Sequence, residues 1–207
     1  MKGQFITLEG GEGVGKSTNM AFVAQYLREK GIEVVLTREP GGTALAEEIR
    51  CLLLHKEQEV VSEQTELLMM FAARAQHIKH IILPALEQGH WVLCDRFTDS
   101  SYAYQGGGRN MDNAEIAWLE NFVQRELRPD LTLLLDAPIE LGMERAAKRA
   151  SLDRFEREQL TFFNQVRSAF LARAEQYPER IKVINAAQEL AQVQVDIMAC
   201  LQPLFDE

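Results

Sequence analysis

The sequence predicts an α/β fold: a five-stranded parallel sheet with helices on both faces. Two observations predict it. Five short runs, Gln4–Leu8, Ile32–Thr37, Trp91–Cys94, Leu131–Leu135 and Ile181–Ile184, are rich in Val, Ile and Leu and lack alternation. Strands covered on both faces read this way. Longer stretches of helical period separate the runs, and strand–helix alternation favours a parallel sheet.

Taken in order, each helix has its own signal. After the first strand, Met20, Val23 and Leu27 share one helix face, and Gly31 stops that helix. Leu45, Ile49 and Leu52 form a second stripe. Leu67, Met70, Phe71 and Ile78 lie on a third, longer pattern entered at Ser62. "DNAE" at Asp112–Glu115 has capping-box spacing, with Asp in place of Ser or Thr, and opens a helix through Trp118, Phe122 and Leu127. Further helices fit Ile139–Arg149, Leu160–Gln176 and Leu190–Leu201. "QGGGRNM" (Gln105–Met111) and "RAAKRASLDR" (Arg145–Arg154) read as loops. There is no internal repeat, low-complexity tract or linker.

The composition narrows the function classes. With 207 residues, 46% hydrophobic and 26% charged, the chain suits one domain that buries its core without disulfides. It carries 22 basic and 31 acidic residues, a formal charge of −9. General nucleic-acid binding runs on phosphate neutralisation, so an acidic chain is a poor candidate for it. Any anion site must be a local basic cluster. Cys51, Cys94 and Cys200 show no metal spacing, and their odd number argues against a secreted disulfide framework. All three read as small core hydrophobes in a reducing compartment. The N-terminus reaches Gly3 too early for a signal peptide, and no apolar run approaches the ~20 residues of a membrane span. A cytoplasmic protein is expected.

"GGEGVGKST" carries the first chemistry. Gly10, Gly15, Lys16 and Ser17 fit G-x-x-x-x-G-K-[ST] between a strand and a helix. Glycines let backbone N–H groups turn inward around an anion, and the helix N-terminus adds partial positive charge. Lys16 supplies a cation for the outer phosphates, and the Ser17 hydroxyl is placed to ligate Mg²⁺. This predicts nucleoside triphosphate binding and is silent about the triphosphate's fate.

Ligands of open α/β sheets bind beyond the carboxyl ends of the strands. Strand two runs into "REPGGT" (Arg38–Thr43), strand three into "DRF" (Asp95–Phe97), and strand four ends at Asp136. Arg38 and Arg96 therefore face the same crevice as Lys16, which suggests a second anionic group. Asp95 is the natural partner for the Mg²⁺ shell, since Mg²⁺ keeps waters and takes few carboxylates. In "FAARAQH", Phe71 and Arg74 share a helix face. An aromatic beside a cation stacks a base and reads its edge; Phe71 equally fits the apolar stripe as plain packing.

These pieces together resemble the thymidylate kinases. The likeness spans nearly the whole chain and rests on "EGGEGVGKST", "REPGGT", "FAARAQH", "DRF…SSYAYQGGG" and "LDRFE". It implies a P-loop nucleoside monophosphate kinase fold over residues 1–207, transfer of phosphate from ATP to dTMP, Mg²⁺ as cofactor, and a homodimer. It implies roles as well. Gly10, Gly11, Glu12, Gly13, Val14, Gly15, Lys16, Ser17 and Thr18 would hold ATP. Arg38 and Arg96 would clamp the 5′-phosphate of dTMP. Phe71 would stack on thymine and Arg74 would donate to its O4. Ser100 and Gln105 match positions near the base edge. Tyr104 matches the aromatic that crowds the sugar 2′ position, and Glu12 the acidic residue near the 3′-hydroxyl. The phosphate loop holds no internal arginine, so the transition-state cation is expected from a lid at about 142–156, as in the bacterial type of the family. Arg149 and Arg154 both qualify, because Ala147 interrupts the usual Arg-x-Arg-x-Arg pattern. Arg145 is left to contact adenine.

Two other readings differ in class. A kinase for another nucleotide or a nucleoside would share the fold, but "REPGGT" and "SSYAYQ" argue against it. A GTP-dependent switch would need Asn-Lys-x-Asp, and no Asn-Lys occurs in the chain. A degenerate binding module is disfavoured by an intact Lys16, Ser17 and Asp95.

Overall fold

The structure, a computed structural model, describes residues 3–55, 60–147, 155 and 158–205. Five strands, β1 (Phe5–Glu9), β2 (Val34–Arg38), β3 (Trp91–Asp95), β4 (Leu131–Asp136) and β5 (Ile181–Asn185), form one sheet in the order β2-β3-β1-β4-β5. Every pairing is parallel, with Phe5 opposite Val92 and Ile6 opposite Leu131. All five expected strands are present, each ending one residue later than its apolar run. The polar residues Glu9, Arg38, Asp95, Asp136 and Asn185 thus close the strands and stand at the rim where ligands bind.

The chain order reverses at β1, which lies at the centre. Side chains alternate across the three inner strands. Ile6, Leu8, Leu93, Leu133 and Leu135 pack on one face against Val23 and Leu27 of helix α1 (Lys16–Glu29) and Val193 and Ile197 of α9 (Leu190–Leu201). Phe5, Val92 and Cys94 pack on the other face, where Ile78 and Ile82 cover them. Fully burying one such side chain contributes roughly 1.5–3 kcal/mol. Coverage on both faces fails at the edges, however. Leu36 of β2 and Val183 of β5 are about half exposed, because an edge strand lacks a neighbour on one side.

The remaining helices are α2 (Ala44–His55), α3 (Glu63–His77), α4 (Leu83–Glu87), α5 (Thr98–Ser101), α6 (Asn113–Gln124), α7 (Ile139–Ala147) and α8 (Leu160–Gln176). The Ser62 side chain caps α3 by accepting from the Thr65 N–H, and Asp112 caps α6 by accepting from Ala114. Gly31, at φ +79°, ends α1 as expected.

Five expectations need correction. The helix opened at Asp112 ends at Gln124, short of Leu127, and Trp118 and Phe122 on it are exposed. In α2 the buried residues are Ala46 and Leu53, while Leu45 and Leu52 are half exposed. The helix carries apolar residues on two faces, and the sequence pattern selected the outer one. Gln105–Gly108 is not a loop: it completes a π-helical turn, Tyr102–Gly108, that prolongs α5. Arg145–Ala147 is likewise helical, as the end of α7, and the rest of that arginine-rich segment lies outside the described residues. Of the cysteines, only Cys94 is in the core; Cys51 is exposed and Cys200 partly so.

Candidate active site

The segments that follow β1, β2 and β3 enclose one cavity of about 610 Å³, within the size range of ligand sites. The phosphate loop forms one wall. Gly10, Gly13 and Gly15 all have positive φ. At Gly13 a Cβ would meet the Gly142 carbonyl, so the loop closes only around glycine. Gly15 starts α1, and Lys16 folds back to donate to the carbonyls of Gly10 at 3.1 Å and Gly11 at 2.7 Å. Burial, and next the charge of Arg96, push the Lys16 ammonium down to about 8. A cation this strained by desolvation favours an arriving anion.

Arg96 follows β3 with a left-handed backbone, φ +66°, uncommon for a side-chain-bearing residue. That conformation turns its guanidinium back across the cavity. Nη1 donates to the Gly10 carbonyl at 2.9 Å and to Ser100 Oγ at 3.2 Å, and Nη2 to Glu12 Oε1 at 2.6 Å. Glu12 Oε1 also accepts from the Tyr104 hydroxyl at 2.7 Å. The Tyr104 ring lies 4.9 Å from the Arg96 guanidinium and edge-on to Phe155, Phe162 and Phe170. Ser100 Oγ donates to Glu9 Oε2 at 2.6 Å, and Glu9 accepts the Phe97 N–H at 2.7 Å. Burial, then the nearby Asp99 charge, pushes Glu9 up to about 7.

The Asp95 carboxylate borders the same wall. Its Oδ1 is buried and meets no hydrogen-bond partner among the described residues. Ser17 and Thr18, at the cavity edge, are exposed. An orphaned carboxylate oxygen beside a P-loop serine is a donor set that fits Mg²⁺, which is content with few protein ligands.

The opposite wall is built by the residues after β2 and by α3. Arg38 reaches the cavity while paired to Glu47 at 2.9 Å, and remains half exposed. Arg74 is 2% exposed. Its Nε donates to Glu39 Oε2 at 2.6 Å, and Nη2 to the Phe97 carbonyl at 3.2 Å and Ser101 Oγ at 3.1 Å. Nη1 finds no partner among the described residues. Gln105 is also buried, its amide donating to Glu66 at 2.8 Å. Gly42, at φ +87°, lies against His77: a Cβ would stand 2.5 Å from the ring's Cδ2.

Phe71 is the expected stacking platform, with plain packing as the alternative. It is 2% exposed, packs with Leu67, Tyr102 and Ile116, and does not line the cavity. Met70 lines it instead. Successive residues on a helix point about 100° apart, and Met70 sits one full turn before Arg74 on the same face. Asp136 does not line this cavity; it borders the back of the phosphate loop with Gly10, Gly11 and Glu12, held by Arg167 in a two-pronged pair at 2.7 and 2.8 Å. Arg145 lines the cavity and donates to the Ala186 carbonyl at 3.0 Å. Arg149 and Arg154 lie outside the described residues. The sequence reading overlooked Glu39, Met70, Arg50 and Phe155 as cavity residues. Glu39 stood inside a quoted motif; Met70 was hidden beside a more conspicuous phenylalanine.

The thymidylate kinase family model matches residues 8–197. The chain belongs to the thymidylate kinase family. Curated thymidylate kinases agree: that of Ectopseudomonas mendocina is 60% identical over 206 residues, covering 100% of this chain and 98% of its own length. That of Teredinibacter turnerae is 57% identical over 202 residues, covering 98% of each. The crystal structure of thymidylate kinase from Ehrlichia chaffeensis superposes with a TM-score of 0.80 at 36% identity, covering 98% of this chain and 99% of the other. The expected thymidylate kinase fold, a five-stranded parallel sheet with helices on both faces, is therefore the one adopted.

Proposed function

We propose that this chain transfers the γ-phosphoryl group of ATP to dTMP, giving ADP and dTDP, a step towards dTTP. Family membership supports the reaction. The observation that carries the acceptor assignment is Arg74: a buried arginine with one unpartnered nitrogen, in the cavity that also holds Lys16, Arg38 and Arg96.

The nucleophile is an oxygen of the acceptor phosphate. It is already an anion, so no general base is needed, and catalysis reduces to alignment and charge neutralisation. The phosphate loop and Lys16 hold the β- and γ-phosphates. Arg38 and Arg96 hold the acceptor phosphate, with Arg96 exchanging its contact to Glu12 for one to the substrate. Ser17 and Asp95 would hold Mg²⁺, which would supply positive charge against the phosphates. The buried Tyr104 ring, pinned by three phenylalanines and by Glu12, leaves no space for a ribose 2′-hydroxyl. Glu12 is left to accept from the 3′-hydroxyl. Arg149 or Arg154 supplies the transition-state cation from a lid at about 142–156, and Arg145 contacts adenine. The whole of 1–207 acts as one kinase domain.

We also assign a cytoplasmic homodimer. Among the described residues no helix is long and apolar enough to cross a membrane. α2, α3 and α6 pack side by side and expose Leu45, Leu52, Leu68, Trp118 and Phe122, the last two stacked at 5.4 Å. Such a contiguous apolar face suits a second copy. A monomer in sedimentation at micromolar concentration would overturn this assignment.

The reaction is tested by coupled ADP release with dTMP, dUMP, dCMP, dGMP and AMP as acceptors. dTMP should be strongly preferred. dUMP, lacking only a methyl, should lose about 1–3 kcal/mol, and dCMP should lose more. Equal rates with dCMP and dTMP would rule out the assignment.

A further inference from the structure

Four polar side chains form a chain that runs from the cavity wall, at Arg74 and Glu39, through buried His77 to partly buried Thr37. Thr37 Oγ1 and His77 Nε2 are 2.6 Å apart, His77 Nδ1 and Glu39 Oε1 2.9 Å, and Glu39 Oε2 and Arg74 Nε 2.6 Å. His77 is fully buried and Glu39 nearly so. One tautomer satisfies every partner: Nδ1–H donates to Glu39, and Nε2 accepts from the Thr37 hydroxyl. The Arg74 guanidinium also lies 4.6 Å from the Phe71 ring and 5.2 Å from the Phe97 ring.

This arrangement departs from the usual one. A carboxylate facing arginine tends to accept two parallel bonds, one on each oxygen. Here His77 occupies Oε1, so Glu39 grips Arg74 through Nε alone. Nη2 is taken by the Phe97 carbonyl and Ser101. The guanidinium is therefore fixed on two sides, and on this cavity-lining arginine Nη1 is the buried donor left over among the described residues. A buried donor without a partner is costly and selects strongly for a matching acceptor.

We infer that Glu39 and His77 are positioning residues for substrate selection: they fix the orientation of Arg74 in the cavity wall and leave Nη1 as its one unengaged donor, so that the site takes pyrimidines with a carbonyl at position 4 and refuses those with an amino group. This deepens the dTMP reading and rests on it. Neither residue touches substrate in this scheme. A carbonyl oxygen accepts from Nη1, whereas an amino group sets donor against donor. Without the relay, Arg74 keeps its charge but loses its aim.

The experiment measures kcat and KM for dTMP and dCMP, with KM for ATP as a control on the fold. The variants are Arg74→Met, Glu39→Gln, His77→Leu, His77→Asn and His77→Gln. Arg74→Met should collapse the dTMP over dCMP ratio of kcat/KM. Glu39→Gln and His77→Leu should lower it at least tenfold, mainly through KM for dTMP, with KM for ATP within twofold of wild type. His77→Asn, whose amide N–H replaces the ring Nδ1–H, should recover most of the ratio. His77→Gln, which places its amide towards Thr37 instead, should not. If Arg74→Met keeps the wild-type ratio, the base-reading assignment itself falls, and the relay with it. If Arg74→Met collapses the ratio while Glu39→Gln and His77→Leu retain it, the relay is a fold anchor and the inference is overturned. Should Glu39→Gln and His77→Leu not fold, equal ratios for His77→Asn and His77→Gln overturn it equally.

Discussion

The two halves of the cavity are built on different principles. The half assigned to ATP is a short contiguous loop with Asp95 beside it in the wall, and its groups stand open: Ser17 and Thr18 are exposed, Asp95 Oδ1 lacks a partner among the described residues, and Lys16 rests on backbone carbonyls. The half assigned to dTMP draws on segments more than sixty residues apart, from Arg38 to Gln105, and nearly every polar atom there is already engaged. The first half awaits its ligand to complete its charge balance. The second is wired beforehand, with Arg74 Nη1 the donor left unengaged among the described residues. Triphosphate binding thus depends on charge and selection on geometry, and the two should fail differently when disturbed.

The largest expected separation comes from the lid. Replacing the responsible arginine, Arg149→Ala or Arg154→Ala, should lower kcat by roughly 10² or more, as loss of a transition-state cation does. KM for dTMP should barely move. Arg38→Ala should do the reverse, weakening dTMP while leaving ATP binding nearly intact. Steady-state kinetics with both substrates varied checks this. Near-normal kcat in both lid variants would place the cation elsewhere.

Next in size is the response to pH. Lys16 is pushed down to about 8 from an ordinary 10.5. The phosphates bind its charged form, so the free protein above pH 8 must first take up a proton. ATP affinity should therefore fall as pH rises, by about tenfold between pH 7 and 9. Unliganded stability moves the opposite way. Between about 8 and 10.5 the unfolded chain holds the lysine proton that the folded chain has lost, so this group makes stability rise with pH there. Calorimetric titration of ATP at pH 7 and 9, in buffers of different ionisation heat, reads both affinity and proton uptake. An affinity flat across that range would show that Lys16 stays charged.

The smallest effect separates neighbours on α3. Met70→Ala should raise KM for dTMP about fivefold, since it removes a flexible apolar surface from the cavity wall. Phe71→Leu should leave that KM within twofold and lower stability by up to roughly 1.5 kcal/mol. Thermal melts beside the kinetics would decide it; a larger KM effect at position 71 would return the platform role to the phenylalanine.

The same contrast explains what could be read before the structure was known. The phosphate loop was legible because its glycines, lysine and serine are adjacent and its chemistry is local. α8 and α9 matched their patterns at both ends, for each has one buried face. α2 misled because Leu45 and Leu52 keep helical spacing on the face turned away from the core. Met70 and Phe71 differ by one step, and sequence pattern does not say which of two adjacent apolar residues a helix turns inward. The Thr37–His77–Glu39–Arg74 chain was not legible at all. Its members lie up to 40 positions apart, and no spacing rule joins them.

The contact between Gly42 and His77 carries one more consequence. A side chain at 42 would collide with the imidazole and also with Thr37 Oγ1, 2.8 Å from the added carbon. The backbone there, at φ +87°, disfavours any other residue as well. Positions 42 and 77 are therefore one hereditary unit split across two stretches of chain. A lineage could not refashion the turn after β2 without also remaking the residue behind the base reader. A chimera that brought any side chain to position 42 would meet the same lock, unless position 77 changed with it.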